Sequence, residues 1–135
     1  ALSVFILDID HFKKVNDQCG RDIGDATLKR VVQLSSGLLR KKDFFGRIGG
    51  EEFIVLLPET SHAQALIIAE KFRVAVEQYS WEKEGISDMD ISVSLGLVCS
   101  ADFLDGELNG IEGLINKANR LLYKAKTQGK NKVYS

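Results

Sequence analysis

The chain has 135 residues, 44% hydrophobic and 27% charged, with a formal net charge of −1. That length fits one domain with room for a real core, and the near-zero charge provides no basic field to hold a nucleic-acid duplex. No apolar run reaches transmembrane length and no secretory leader opens the chain, so no direct membrane insertion is expected and the domain is read as cytoplasmic, any membrane tether lying in other domains.

The start, Ala1-Leu2-Ser3-Val4 without a Met, reads as an excised or truncated domain. Cys19 and Cys99 lie far apart and outside any C-x-x-C pattern, which favours reduced, buried thiols over a disulfide or a zinc site.

Leu2 to Leu7 is an unbroken apolar run, as expected of a strand buried on both faces, and it ends at Asp8-Ile9-Asp10. A short helix is predicted from Phe12 to Asn16, stopping near Gly20. Asp25 then opens a second helix with Leu28, Val31, Val32, Leu38 and Leu39 along one face and Gly24 just ahead. Two strands near 43–48 and 52–57 flank Gly49-Gly50, a pair that reads as a tight hairpin turn. Pro58 closes the hairpin, and Thr60 or Ser61 can cap a third helix whose stripe is Ala65, Ile68, Ala69, Phe72, Ala75, Val76 and Tyr79.

Residues 80–90 read as loop. Ile91, Val93, Leu95 and Leu97 alternate with Ser92, Ser94 and Gly96, the pattern of a half-buried strand. An acidic loop (Asp102, Asp105, Glu107) leads to a last helix carrying Ile111, Leu114, Ile115, Ala118, Leu121, Leu122 and Ala125. Gly129 suits that helix's C-terminus, and Val133-Tyr134 a short edge strand. The order β-α-α-β-β-α-β-α-β contains a split βαβ unit, so the expected class is α+β: a mostly antiparallel, ferredoxin-like sheet with helices on one face.

In such a sheet the first strand and the hairpin are central neighbours, which brings Asp8, and with it Asp10, near Glu51. Oxygen donors without nearby His or Cys favour Mg²⁺ over zinc, and hard cations beside a phosphate chain serve in-line attack on phosphorus. The alternative stays open that Asp8 and Asp10 merely cap the following helix. Glu51 and Glu52 are adjacent strand residues and point to opposite faces, so they are expected to do different jobs. Lys13, Lys14, Lys126 and Lys130 are cationic candidates for phosphate, and Gly20 to Gly24 could turn toward a ligand without the spacing of a P-loop.

Arg47-Ile48-Gly49-Gly50-Glu51-Glu52-Phe53 resembles the signature of the GGDEF family, the diguanylate cyclases, in its GGEEF form. Asp8-Ile9-Asp10-His11-Phe12-Lys13-Lys14-Val15-Asn16-Asp17 resembles the family's first motif, and Gly20 to Asp25 its G-x-D-x-G-D continuation. Ser92 to Gly96 is similar to a later family strand, and Ala118 through Lys126, with Gly129 to Val133, to its last helix and tail. Asn119 stands where the family usually has Asp, and Lys130 where it usually has Arg.

The resemblance implies a cyclase-like or polymerase-palm-like sheet that joins two GTP into cyclic di-GMP and two pyrophosphates, in bacterial second-messenger signalling. It implies a single domain over residues 1–135, without the family's opening segment. Asp8, Glu51 and the Ile9 carbonyl would hold Mg²⁺, or Mn²⁺, and Glu52 would serve the ribose 3′-hydroxyl. Asn16 and Asp25 would read guanine; Lys13, Lys126 and Lys130, with the amides near His11 and Phe12, would take the triphosphate. Gly49 and Gly50 would leave room for the nucleotide. Catalysis would need a homodimer of domains, and an upstream sensory or regulatory domain is expected. Arg40-Lys41-Lys42-Asp43 matches the family's R-x-x-D motif, so Arg40 and Asp43 would bind the cyclic di-GMP product and inhibit. Two rivals remain: an inactive module sensing GTP or cyclic di-GMP, and a class III cyclase making a cyclic mononucleotide.

Overall fold

Leu2–Ile9 forms β1, and every residue from Ser3 onward in it is buried, so the strand is covered on both sides as its unbroken apolar run requires. The structure, a computed structural model, describes residues 1–103 and 109–135. After β1 come α1 (Phe12–Cys19), α2 (Arg21–Ser36), β2 (Phe44–Gly49), β3 (Glu52–Pro58) and α3 (His62–Gln78). Then follow β4 (Val93–Cys99), α4 (Gly110–Thr127) and β5 (Val133–Tyr134), in the predicted order. The strands lie β2-β3-β1-β4-β5, antiparallel except for the β4–β5 pair.

The sheet carries helices on both faces, not one. Phe5, Leu7, Ile9, Phe53, Val55, Leu57, Leu95 and Leu97 pack under α1, α2 and α3. Phe5 meets Phe72 of α3 edge to face, ring centroids 5.1 Å apart. On the other face Val4, Ile6 and Val98 meet Leu114, Ala118, Leu121 and Leu122 of α4. Each large side chain so buried contributes about 1.5–3 kcal/mol of transfer free energy.

That second helix layer corrects the half-buried reading of β4, whose residues are all buried. Its small residues mark close approach rather than solvent: a Cβ on Gly96 would lie 2.1 Å from the Ala118 carbonyl oxygen. Alternation of apolar with small residues therefore mimicked alternation of inside with outside.

Two turns also differ from expectation. Gly20 to Gly24 is not a ligand turn: Gly20 alone (φ 92°) breaks α1 from α2, which begins at Arg21 instead of Asp25. The hairpin turn falls one residue late, at Gly50-Glu51, because Gly49 pairs with Glu52 and an irregularity between Arg47 and Gly49 takes up Ile48. Gly50 has φ 51°, and Arg47 Nε and Nη2 donate to its carbonyl at 2.9 and 2.6 Å.

Ser61, not Thr60, caps α3, in a capping box with Gln64. The 80–90 loop contains a 3₁₀ turn, Trp81–Glu84, whose buried Trp81 donates Nε1–H to the Val76 carbonyl at 2.8 Å. Cys99 is buried and Cys19 half-buried, both free. Asp105 and Glu107 of the expected acidic loop lie outside the described residues.

Candidate functional site

The C-terminal end of β1 is where the predicted residues gather. β1 runs antiparallel between β3 and β4, so its last residues meet the first residues of both neighbours. Asp8 stands opposite Glu52 on one side and Ser94 on the other. Directly opposed residues of an antiparallel pair share a face, so two carboxylates sit side by side there. Glu51 belongs to the hairpin turn itself, and its carbonyl accepts the Ile9 N–H at 3.3 Å, which ties the turn to β1. The expectation that Glu51 and Glu52 exit on opposite faces of one strand is thus replaced by a turn residue followed by the first strand residue.

α4 brings a cation to this cluster. Lys126 Nζ lies 3.2 Å from Asp8 Oδ1 and 3.3 Å from Asp10 Oδ1. Asp8 Oδ1 is buried and receives no aligned hydrogen bond, so Lys126 meets it only as an ion pair. Burial pushes the Asp8 carboxyl up to about 6; Lys126 pulls against that, and the charges of Glu51 and Glu52 push with it.

A divalent cation fits this donor set. Two carboxylates and a third at the rim repel one another, and a buried carboxylate oxygen has no aligned donor. Among the described residues no three His, Cys, Asp or Glu side chains form a cage. A site of two carboxylates completed by a backbone carbonyl and phosphate oxygens suits a hard divalent cation rather than zinc.

Asp8 and Asp10 do not cap α1. Its N-cap is His11, in the left-handed region (φ 58°) and without a side-chain cap, and its first turn holds no acid. The open amides at Phe12 and Lys13 make an anion-accepting helix start. Lys13 and Lys14 are exposed on that turn. Asp10 is instead wholly buried, bonded by Ser92, Ser94 and the Asn131 amide.

Asn16 of α1 lies against α2 at Gly24. Gly24 makes room for Asn16: a Cβ there would lie 1.8 Å from Asn16 Oδ1. Asp25, the next residue, is exposed. Gly49 and Gly50 are exposed with no protein atom within 4 Å of an added Cβ, so a methyl at Gly49 would meet only open space. Lys130 is half-buried, in the left-handed region (φ 62°), with Nζ 3.3 Å from the Lys126 carbonyl.

Arg40 and Asp43 form an ion pair just ahead of β2. Arg40 Nη2 and Nε donate to the two oxygens of Asp43 at 2.9 and 3.1 Å, and Nη2 also reaches Thr60 Oγ1 at 2.6 Å. Burial works to raise the Asp43 carboxyl, but the Arg40 hydrogen bonds prevail and hold it below the usual range. Arg40 is correspondingly raised by Asp43 and stays partly exposed.

Sequence reasoning missed Gly24, Ser92, Ser94 and Asn131 as parts of the site's frame. The serine alternation in 92–96 was the available signal.

Residues 1–132 match the family described as diguanylate cyclase, GGDEF domain. The chain is 36% identical over 133 residues to diguanylate cyclase A of Treponema denticola, covering 98% of this chain and 34% of that protein. It is thus about a third as long as that relative. It superposes on the active GGEEF domain of a diguanylate cyclase from Vibrio cholerae with a TM-score of 0.82 and 32% identity, covering 98% of this chain and 81% of that one. It is also similar to the GGDEF domain of DgcB from Caulobacter crescentus, solved with c-di-GMP, at a TM-score of 0.84 and 27% identity, over 98% and 76% of the two chains. No described helix is long and apolar enough to cross a membrane.

Proposed function

This chain belongs to the GGDEF family of diguanylate cyclases, and from that premise we propose that it acts as a single catalytic domain joining two GTP into cyclic di-GMP. What carries the reading is the meeting of Asp8, Glu51 and Glu52 beside Lys126, with Asp8 raised to about 6. Asp8, Glu51 and the Ile9 carbonyl would hold Mg²⁺, which supplies neutralising charge at the α-phosphate and acidifies the attacking hydroxyl.

The chain's own residues do the rest. Asn16 and Asp25 hold the guanine edge, an amide and a carboxylate matching its acceptors and donors. Lys13, Lys126, Lys130 and the open amides at the α1 start hold the triphosphate. Gly49 and Gly50 leave the hairpin bare for the nucleotide. Glu52 takes the ribose 3′-proton. The freed 3′-oxygen bonds to the α-phosphorus of the facing nucleotide, and the bond to pyrophosphate breaks. Repeating this from the second nucleotide closes the ring, so two domains must face each other, each supplying positioning and charge. In the longer protein an upstream domain would govern that pairing.

The Arg40–Asp43 pair is read as a product site that inhibits: Asp43 holds a partly exposed guanidinium in place, a group whose chemistry suits a phosphate or a guanine edge. Incubating the full-length protein with GTP and Mg²⁺, then resolving nucleotides by chromatography, tests the main reading. Cyclic di-GMP that disappears in Glu51→Ala supports it; tight nucleotide binding without turnover would sink it in favour of a sensor. Calorimetry with cyclic di-GMP tests the second site, and equal binding by Arg40→Ala would remove it.

A further inference from the structure

The carboxylate of Asp10 lies behind the reactive cluster, at 0% exposure, yet it gathers donors from three separate elements. Oδ1 accepts the Ser94 hydroxyl at 2.7 Å and faces Lys126 Nζ at 3.3 Å. Oδ2 accepts the Ser92 hydroxyl at 2.7 Å and the Asn131 N–H at 3.0 Å. Its own N–H donates to the Ser92 carbonyl at 2.9 Å. One side chain thus joins the end of β1, the approach to β4, the last turn of α4 and the tail.

The tail it holds is strained. Lys130 and Asn131 are consecutive non-glycine residues in the left-handed region, at φ 62° and 48°, a pairing that persists only where the surroundings enforce it. The enforcing contacts converge on Asn131. Its amide binds Asp10, its Oδ1 accepts from Arg73 Nη1 at 3.2 Å, and its Nδ2 donates to Glu77. The turn so clamped presents Lys130 next to Lys126, whose ammonium the other Asp10 oxygen holds.

We infer that Asp10 is a positioning residue that sets two cations, Lys126 directly and Lys130 through the Asn131 turn, for the triphosphate of the bound nucleotide. The inference rests on the nucleotide reading above and adds a residue that touches no substrate. An isosteric amide cannot replace the carboxylate. Serine hydroxyls can rotate to accept, but an ammonium and a backbone N–H only donate, so Asp10→Asn loses either Lys126 or Asn131 whichever way the amide turns.

Calorimetry in Mg²⁺ with 3′-deoxy-GTP, which binds without an attacking hydroxyl, and with GMP tests this in the full-length protein. Asp10→Asn should weaken 3′-deoxy-GTP by about tenfold or more, the scale of a lost charged hydrogen bond, and leave GMP within about twofold. The double variant Ser92→Ala/Ser94→Ala, which keeps the carboxylate and frees it to move, should show the same selectivity at smaller size; it decides the matter if Asp10→Asn does not fold. Equal losses for both nucleotides, or none for either, overturn the inference. A wild-type protein that binds neither nucleotide overturns the nucleotide reading and the inference with it.

Discussion

A carboxyl buried beside two others and a single ammonium, as Asp8 is, ties the stability of the protein to pH. Its value rises on folding from 3.8 to about 6, so the folded state binds a proton more readily than the unfolded chain does. Stability of the metal-free protein therefore falls as pH climbs from about 4 to 6 and levels off above. Asp8→Asn lacks this titration and should be more stable than wild type by about 1–3 kcal/mol above pH 6, with no gain near pH 4, in thermal melts with chelator. Added Mg²⁺ should raise the wild-type melting temperature and leave the variant unmoved. Equal gains at both pH values would refute the burial account. Gly24 makes the matching case for nucleotide reading. An added methyl collides only with the end of the Asn16 side chain, which can swing away. Gly24→Ala should keep or gain stability, since alanine is favoured over glycine in a helix by about 1 kcal/mol, while GTP affinity falls. A variant that melts early yet binds GTP normally would show that Asn16 plays no such part.

At the scale of elements, α4 decides more than its length suggests. It lies close on β4 because Gly96 offers no side chain, and that approach carries Lys126 to Asp8 and Asp10. A Cβ on Gly96 would meet backbone atoms of Ala118 and Leu122 at 2.1 and 2.3 Å, and backbone cannot swing aside. Gly96→Ala should cost about 3 kcal/mol or more in denaturant unfolding, and any folded fraction should bind the triphosphate poorly because α4 has shifted. Retained stability would mean that α4 can slide on the sheet without loss. The same glycine explains why the strand read as half-buried. Periodicity reports where large apolar side chains fall, and small residues under a closely packed helix look the same as polar ones under water. The two displaced turns share another cause. A glycine marks permission for an unusual backbone angle, and packing decides which of several neighbouring glycines uses it: Gly20 rather than Gly24, Gly50 rather than Gly49.

For the molecule as a whole, the carboxylate cluster stands at one end of the sheet, and in the proposed reaction one copy would supply a hydroxyl or a receiving phosphate in a given step. Product formation should therefore rise more steeply than linearly with chain concentration when dilution separates the copies. A specific activity that stays constant on dilution below any measurable self-association would exclude a reaction between facing domains. The order of elements, the hairpin, the apolar stripes of α3 and α4 and the acid–lysine pattern were legible in the chain, because periodicity and short-range spacing are local properties. Asp8, Glu51 and Lys126 were legible as candidates because their residue types suit metal and phosphate chemistry, and Asn16, Asp25 and the part of Glu52 only through the resemblance to the family's motifs. Tertiary structure alone decided the second helix layer and the turn that takes Glu51 out of the strand. It also decided the surroundings of Asp10, whose partners at Ser92, Ser94, Lys126 and Asn131 stand more than eighty residues away. Sequence records which groups are available within a few residues of each other, whereas burial, opposition across strands and the raised pKa of Asp8 arise only when distant segments exclude water together.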